Sequence, residues 1–161
     1  MPIASTELRS AVAKQEFRFA HRLRVRWAEV DRQGIVFNGH YLTYFDVGIT
    51  EYYRALGYPY PDGLAQHGTD FYVRKAEVEY HASAEYDDEV DICVRVERLG
   101  RSSFDFRVEI HRADQMLVSG KVIYVNADPV ARKSAPLPDF LRNAIKAFEL
   151  TAPAELNSAP A

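Results

Sequence analysis

A chain of 161 residues with 47% apolar, 12% aromatic and 27% charged side chains has the length of one ordinary domain and the material for a sizeable core, which excludes two full domains and general disorder. Twenty Lys and Arg against twenty-three Asp and Glu leave a formal charge of −3, so no overall positive field draws the molecule to nucleic acid or anionic lipid. The single cysteine, Cys93, excludes an internal disulfide and a multi-cysteine metal cage and suits a reducing compartment.

Residues 1–16 mix small side chains with Glu7, Arg9, Lys14 and Glu16. They lack the apolar block of a secretory signal and read as an N-terminal extension to a domain over residues 17–150. No stretch approaches the roughly 18–20 consecutive apolar residues that span a bilayer, so no membrane association is expected and the cytoplasm is the default location. Phe17, Phe19, His21, Leu23, Val25 and Trp27 alternate with Arg18, Ala20, Arg22, Arg24 and Arg26, a period of two that predicts a strand. Its arginines form a stripe suited to a solvent-facing or subunit-facing surface. Asp31 first and Gly34 fourth match a type I turn.

From His40 the period changes to 3.6. Tyr41, Tyr44, Phe45, Gly48, Ile49, Tyr52 and Leu56 fall on one stripe of a helix over 38–56, closed by Gly57 and Pro59. Val47 among Thr43, Asp46, Thr50 and Arg54 suggests packing on more than one side. Gly48 costs about 0.5–1 kcal/mol relative to Ala in a helix interior, which predicts the close approach of backbone or ligand. Residues 58–68, with Pro59, Pro61, Gly63 and Gly68, make a loop.

Four strands are predicted next, over 71–82, 89–97, 104–111 and 116–126. Short turns join the last three as antiparallel hairpins, and Cys93 reads as a buried strand residue. Runs this long suit a curved sheet wrapped around one central helix. A short helix over 139–150 follows Pro136 and Pro138, and residues 151–161, rich in Ala, Pro and Ser, read as a disordered tail. The five histidines are scattered, so no metal site is expected. There is no Gly-rich phosphate loop and no Gly-x-Ser-x-Gly elbow, which removes nucleotide-binding and serine-hydrolase readings.

The stretch from Val25 to Asp46, with Asp31, two residues, Gly34-Ile35-Val36-Phe37 and a helix opening near Tyr41, resembles the signature of the 4-hydroxybenzoyl-CoA thioesterase family. A second stretch, Val78 to Val90 followed by Leu99 to Phe104, looks like that family's central strands and their connection. The likeness covers about residues 19–126. It implies a hotdog fold, α+β, in which a curved antiparallel sheet of about five strands wraps one long helix, and an acyl-CoA thioesterase needing no cofactor. Asn38 stands where the family often has His or Tyr, so a side-chain role is not carried over to it, whereas a backbone role is.

Thioester hydrolysis needs a water or carboxylate to attack the acyl carbon and donors to hold the oxyanion that forms. The resemblance makes Asp31 the general base or the direct nucleophile, although the same side chain also suits nucleation of its own turn. The amides at the start of the long helix, those of Asn38 or Gly39, are the expected oxyanion donors, and Asn38 also fits an N-cap. Gly34 gives backbone freedom beside the site. His40, Tyr41 and Ser103 are expected near substrate, and Ser102 and Ser103 also suit plain turn chemistry.

Arg101, Arg132 and Lys133 are expected at the phosphates of coenzyme A. His40 is an alternative base and Asp46 a runner-up carboxylate, while Glu51 and Arg54 fit an exposed i,i+3 pair. Tyr41, Tyr44, Phe45, Tyr52 and Tyr53 suit an acyl or aryl tunnel or simply the core. The family implies a homodimer or homotetramer with a shared pocket. Two other functions fit the fold: a non-catalytic domain that binds acyl-CoA or acyl-carrier thioesters, and a dehydratase or isomerase.

Overall fold

The computed structural model describes residues 14–156. In chain order it contains β1 (Phe19–Arg24), a 3-10 turn (Trp27–Glu29), α1 (His40–Ala55), α2 (Asp62–Ala65), β2 (Asp70–Tyr80), β3 (Glu89–Leu99) and β4 (Ser103–Arg112). Then come β5 (Gln115–Asp128), β6 (Lys133–Ser134), α3 (Asp139–Phe148) and β7 (Ala154–Glu155). The strands form one sheet in the order β1-β3-β4-β5-β2, with β6 on β5 and β7 on β3. The pairs along that path are antiparallel, and β7 joins β3 in parallel.

Alternation along the central strands sorts side chains onto two faces. Val90, Ile92, Val94 and Val96 of β3 and Phe104, Phe106, Val108 and Ile110 of β4 share a core with Tyr41, Tyr44, Phe45, Ile49 and Tyr52 of α1. The sheet therefore curves around α1. Gly48 is where helix and sheet touch: a Cβ there would lie 2.4 Å from Ile92 Cγ2, so the close approach is made by a β3 side chain rather than by the expected backbone or ligand. The opposite face carries charge. Arg22 donates to Asp91 at 2.9 Å, Arg24 to Glu89 at 2.6 Å and Arg107 to Glu109 at 3.0 Å. The basic stripe of β1 thus meets acidic partners across this outer face. Cys93 is fully buried on β3, and burial pushes its thiol up to about 12.

Element boundaries differ from the sequence expectation where tertiary contacts intervene. The first strand stops at Arg24, because Val25 turns to exchange backbone hydrogen bonds with Asp87 and Asp88. Trp27, placed on the inward stripe by alternation, is 74% exposed and packs edge-to-face on Tyr86. The long helix starts at His40 with Gly39 as its N-cap. Asn38 is not the cap: its carbonyl takes the Tyr41 N–H at 3.4 Å while no side chain caps this helix.

The last helix ends at Phe148 because Glu149 turns extended and inserts its carboxylate into the core. There it accepts the Tyr52 hydroxyl at 2.6 Å and the Val96 N–H at 2.8 Å. The start of the stretch read as a disordered tail is structured, Ala154–Glu155 pairing with Arg98 and Leu99 of β3; residues 157–161, and most of the N-terminal extension, lie outside the described residues. Among the described residues no helix is long and apolar enough to cross a membrane.

Candidate active site

The site begins with a turn. Asp31 N–H donates to Ile35 at 2.9 Å, Gly34 N–H donates back to Asp31 at 3.0 Å, and Gly34 has φ +81°. This is the pattern of a three-residue loop, a type I turn followed by a left-handed residue, and glycine enters that region without steric cost. The Asp31 carboxylate does take part: Oδ1 accepts the Gln33 N–H at 2.7 Å. The other oxygen, Oδ2, has no partner among the described residues and remains available for chemistry.

Both ends of the loop are tied down. Glu29, buried just before it, accepts the Arg26 N–H at 2.8 Å and the Tyr44 hydroxyl at 2.6 Å, and its own carbonyl accepts the Phe37 N–H at 2.9 Å. Burial alone would raise the Glu29 carboxyl, but the hydrogen bonds from Arg26 and Tyr44 outweigh it and hold the group below the usual carboxylate range. Val36 N–H donates to Ala84 at 2.9 Å, and Ala84 N–H donates to the Tyr41 hydroxyl at 3.0 Å. The loop and the first turn of α1, neighbours in sequence, therefore meet the β2–β3 connection much further along the chain.

They enclose an open cleft of about 300 Å³ lined by Asp31, Gln33, Ile35, Val36, Asn38, Tyr41, Tyr80, His81, Ala82 and Ser83. The amides of Asn38 and Gly39, at the helix entry, have no intramolecular acceptor among the described residues. A carboxylate and free N–H donors at the positive end of a helix dipole are what attack on a carbonyl carbon requires. His81 stands at the rim, but its Nε2 lies 2.7 Å from Ser119 Oγ, on the face of β5 turned away from α1.

The structure gathers some of the expected residues and separates others. Asp31, Asn38 and Tyr41 line the one cleft, and Gly39 adjoins it. Gly34 is exposed at the tip of the turn. His40 is not in the wall; its ring packs edge-to-face on Phe37, 5.7 Å between centroids. Ser103, Arg101, Arg132 and Lys133 lie at the opposite end of the sheet. Ser103 pairs with Val125, which pairs with Tyr72, whereas the cleft is at Tyr80; the eight residue steps from Tyr72 to Tyr80 span roughly 26 Å at about 3.3 Å per residue.

Ser103 takes a hydrogen bond from Arg98. Arg101 lines a separate open groove of about 540 Å³ with Arg142 and Leu137, while Arg132 lies in the exposed β5–β6 turn and Lys133 opens β6. As ligands for a molecule seated at Asp31 of the same protomer, these four are out of reach of the cleft walls. Asp46 is exposed outside the cleft wall, and Glu51 pairs with Arg54 as spaced. Of the aromatic stripe, Tyr44, Phe45, Tyr52 and Tyr53 are core, and only Tyr41 reaches the cleft.

Sequence reasoning missed Tyr80, Ala82, Ser83 and Gln33. Their signal was weak, since Tyr80 to Ser83 read as the end of a strand and a turn. Among the described residues no group of three or more His, Cys, Asp or Glu is placed to hold a metal ion.

The profile of the thioesterase superfamily matches residues 33–119, more than half the chain. The chain belongs to the thioesterase superfamily. Asp31 sits two residues before the matched segment. A relative from Aquifex aeolicus, named as an esterase, is 32% identical over 96 residues, 60% of this chain and 74% of its own. The acyl-CoA thioester hydrolase YbgC of Escherichia coli is 29% identical over 121 residues, 74% of this chain and 90% of its own.

Among solved structures, a Thermus thermophilus thioesterase complexed with coenzyme A and zinc superposes with a TM-score of 0.73 at 29% identity. That match covers 84% of this chain and 96% of that one. The curved sheet around α1 is the hotdog thioesterase fold, and the enzyme class is thioester hydrolysis.

Proposed function

We propose that the protein is an acyl-CoA thioesterase that converts a thioester and water to free acid and coenzyme A. The observation that carries this reading is the shared cleft: Asp31 and Asn38 line it together, with the unpaired Gly39 amide beside them. Asp31 takes a proton from water as the water oxygen bonds to the acyl carbon. The C=O pair moves onto oxygen, where the N–H of Asn38 or Gly39 stabilises it. Collapse then breaks the C–S bond, and the thiolate recovers the proton. As a direct nucleophile, Asp31 would instead form an acyl anhydride that water opens. Label on Asp31 after a single turnover in ¹⁸O-water establishes the anhydride route with water attacking the Asp31 carboxyl carbon, whereas label in the free acid alone fits both general-base hydrolysis and water attack on the acyl carbon of the anhydride.

Asp31→Asn preserves an oxygen for the Gln33 N–H and so leaves the turn intact. Thiol release from a panel of short, medium, long and aromatic acyl-CoAs is expected to fall by about 10²–10⁴-fold, the usual worth of a positioned acid–base group. Near-wild-type turnover by Asp31→Asn overturns the role of Asp31. Binding of acyl-CoA by the wild type without thiol release would make it a non-catalytic thioester-binding domain. The working form is a homodimer or homotetramer: β2 is an eleven-residue edge strand with Tyr72 and Val73 half exposed, and such an edge is a template for pairing with a second copy.

A further inference from the structure

We infer that Tyr80 is a positioning residue that aims the Gly39 amide at the oxyanion. The inference rests on the thioesterase reading above. Tyr80 is the last residue of β2, and its hydroxyl donates to the Asn38 carbonyl at 3.1 Å. The same carbonyl accepts the Tyr41 N–H at 3.4 Å from the first turn of α1. That oxygen belongs to the peptide unit whose nitrogen is Gly39. The unit is planar and trans, so the N–H points opposite to the C=O. Two donors holding the oxygen on one side therefore fix the direction of the Gly39 N–H on the other.

The ring of Tyr80 is itself held, packing edge-to-face on Tyr41 with 5.8 Å between centroids. Tyr41 is tied through its hydroxyl to Ala84. Without the Tyr80 hydroxyl, the Asn38 carbonyl keeps only the 3.4 Å bond from the Tyr41 N–H, and the rest of the anchoring comes through neighbours, from Phe37 N–H to Glu29 and His40 N–H to Phe37. A preorganised donor stabilises charge without reorganising during the reaction, so rotation of this unit weakens the transition state more than it weakens substrate binding.

Tyr80→Phe removes the hydroxyl alone from a side chain that is 52% exposed, and folding is expected to be unaffected. Loss of one neutral hydrogen bond corresponds to about fivefold in rate. The expected result is a kcat about fivefold lower with KM within twofold of wild type, accompanied by movement of the Asn38 carbonyl ¹³C and Gly39 amide ¹⁵N resonances. An unchanged kcat in Tyr80→Phe, or unchanged resonances, overturns the inference. Absence of thiol release by the wild type sinks the thioesterase reading instead, and the resonances of the variant then decide whether Tyr80 orients this peptide unit.

Discussion

Glu149 ends α3 by pointing inward, and its two hydrogen bonds tie the helix to α1 through Tyr52 and to β3 through Val96. Burial raises its carboxyl above the usual range, although the hydrogen bonds from Tyr52 and Val96 act the other way. A carboxyl raised on folding favours the fold in its protonated form. That contribution is fully present below the unfolded-state pKa and is lost as pH rises through the folded value. At neutral pH the buried charge is therefore a cost. Glu149→Gln keeps an oxygen for both donors and removes the charge, so its thermal midpoint at pH 7 is expected to equal or exceed that of wild type, with a flatter dependence on pH between 4 and 7. A lower midpoint at pH 7 would contradict this. Glu149→Leu, which leaves the Tyr52 hydroxyl and Val96 N–H buried without that acceptor, is expected to cost about 1–3 kcal/mol for each group so stranded.

At the scale of elements, the contact of α1 with β3 depends on an absent side chain. Alanine is the better helix former by about 1 kcal/mol, so propensity alone favours Gly48→Ala. Packing decides otherwise, because the added methyl meets Ile92 Cγ2 at 2.4 Å and Val94 Cγ2 at 3.1 Å. Either α1 lifts from the sheet or both side chains leave their rotamers. Gly48→Ala is expected to destabilise by about 1–3 kcal/mol, the usual range for overpacking, read as a lower urea midpoint at constant slope. A midpoint at or above wild type would show that the contact yields easily. The glycine was visible in the sequence as an oddity inside a helical pattern, and a close approach was anticipated there, though of backbone or ligand rather than of side chains. The partner was not, since nothing near Gly48 in sequence names Ile92.

For the whole molecule, the cleft is an open groove, and the edge of β2, unpaired among the described residues from Asp70 to Tyr80, reaches it only at its Tyr80 end. Placing a charge in that edge opposes pairing between copies. Val73→Lys, at a side chain already 55% exposed, is expected to reduce the molar mass in light scattering towards that of one chain, with secondary structure unchanged by circular dichroism. An unchanged mass would overturn pairing of copies through this edge.

Much of this molecule was legible in order along the chain. Strict alternation marked β1, β3 and β4; the 3.6 period marked α1; and Asp31 and Gly34 marked the turn that the hydrogen bonds close. Each of those signals is local, because a residue's neighbours fix the direction of its side chain and the shape of its turn. The membership of the cleft was not local. Tyr80 faces Asn38 because β2 pairs with β5 in one register, and α1 stands over that end of the sheet because Gly48 admits Ile92. Arg101, Arg132, Lys133 and Ser103 carried suitable chemistry and fell at the far end of the same sheet. The sequence by itself determined which long elements form, though not the short α2, β6 and β7, and which side chains carry charge or hydroxyl. Only the tertiary structure decided which of them share a cavity, since that depends on strand register and helix docking between segments tens of residues apart.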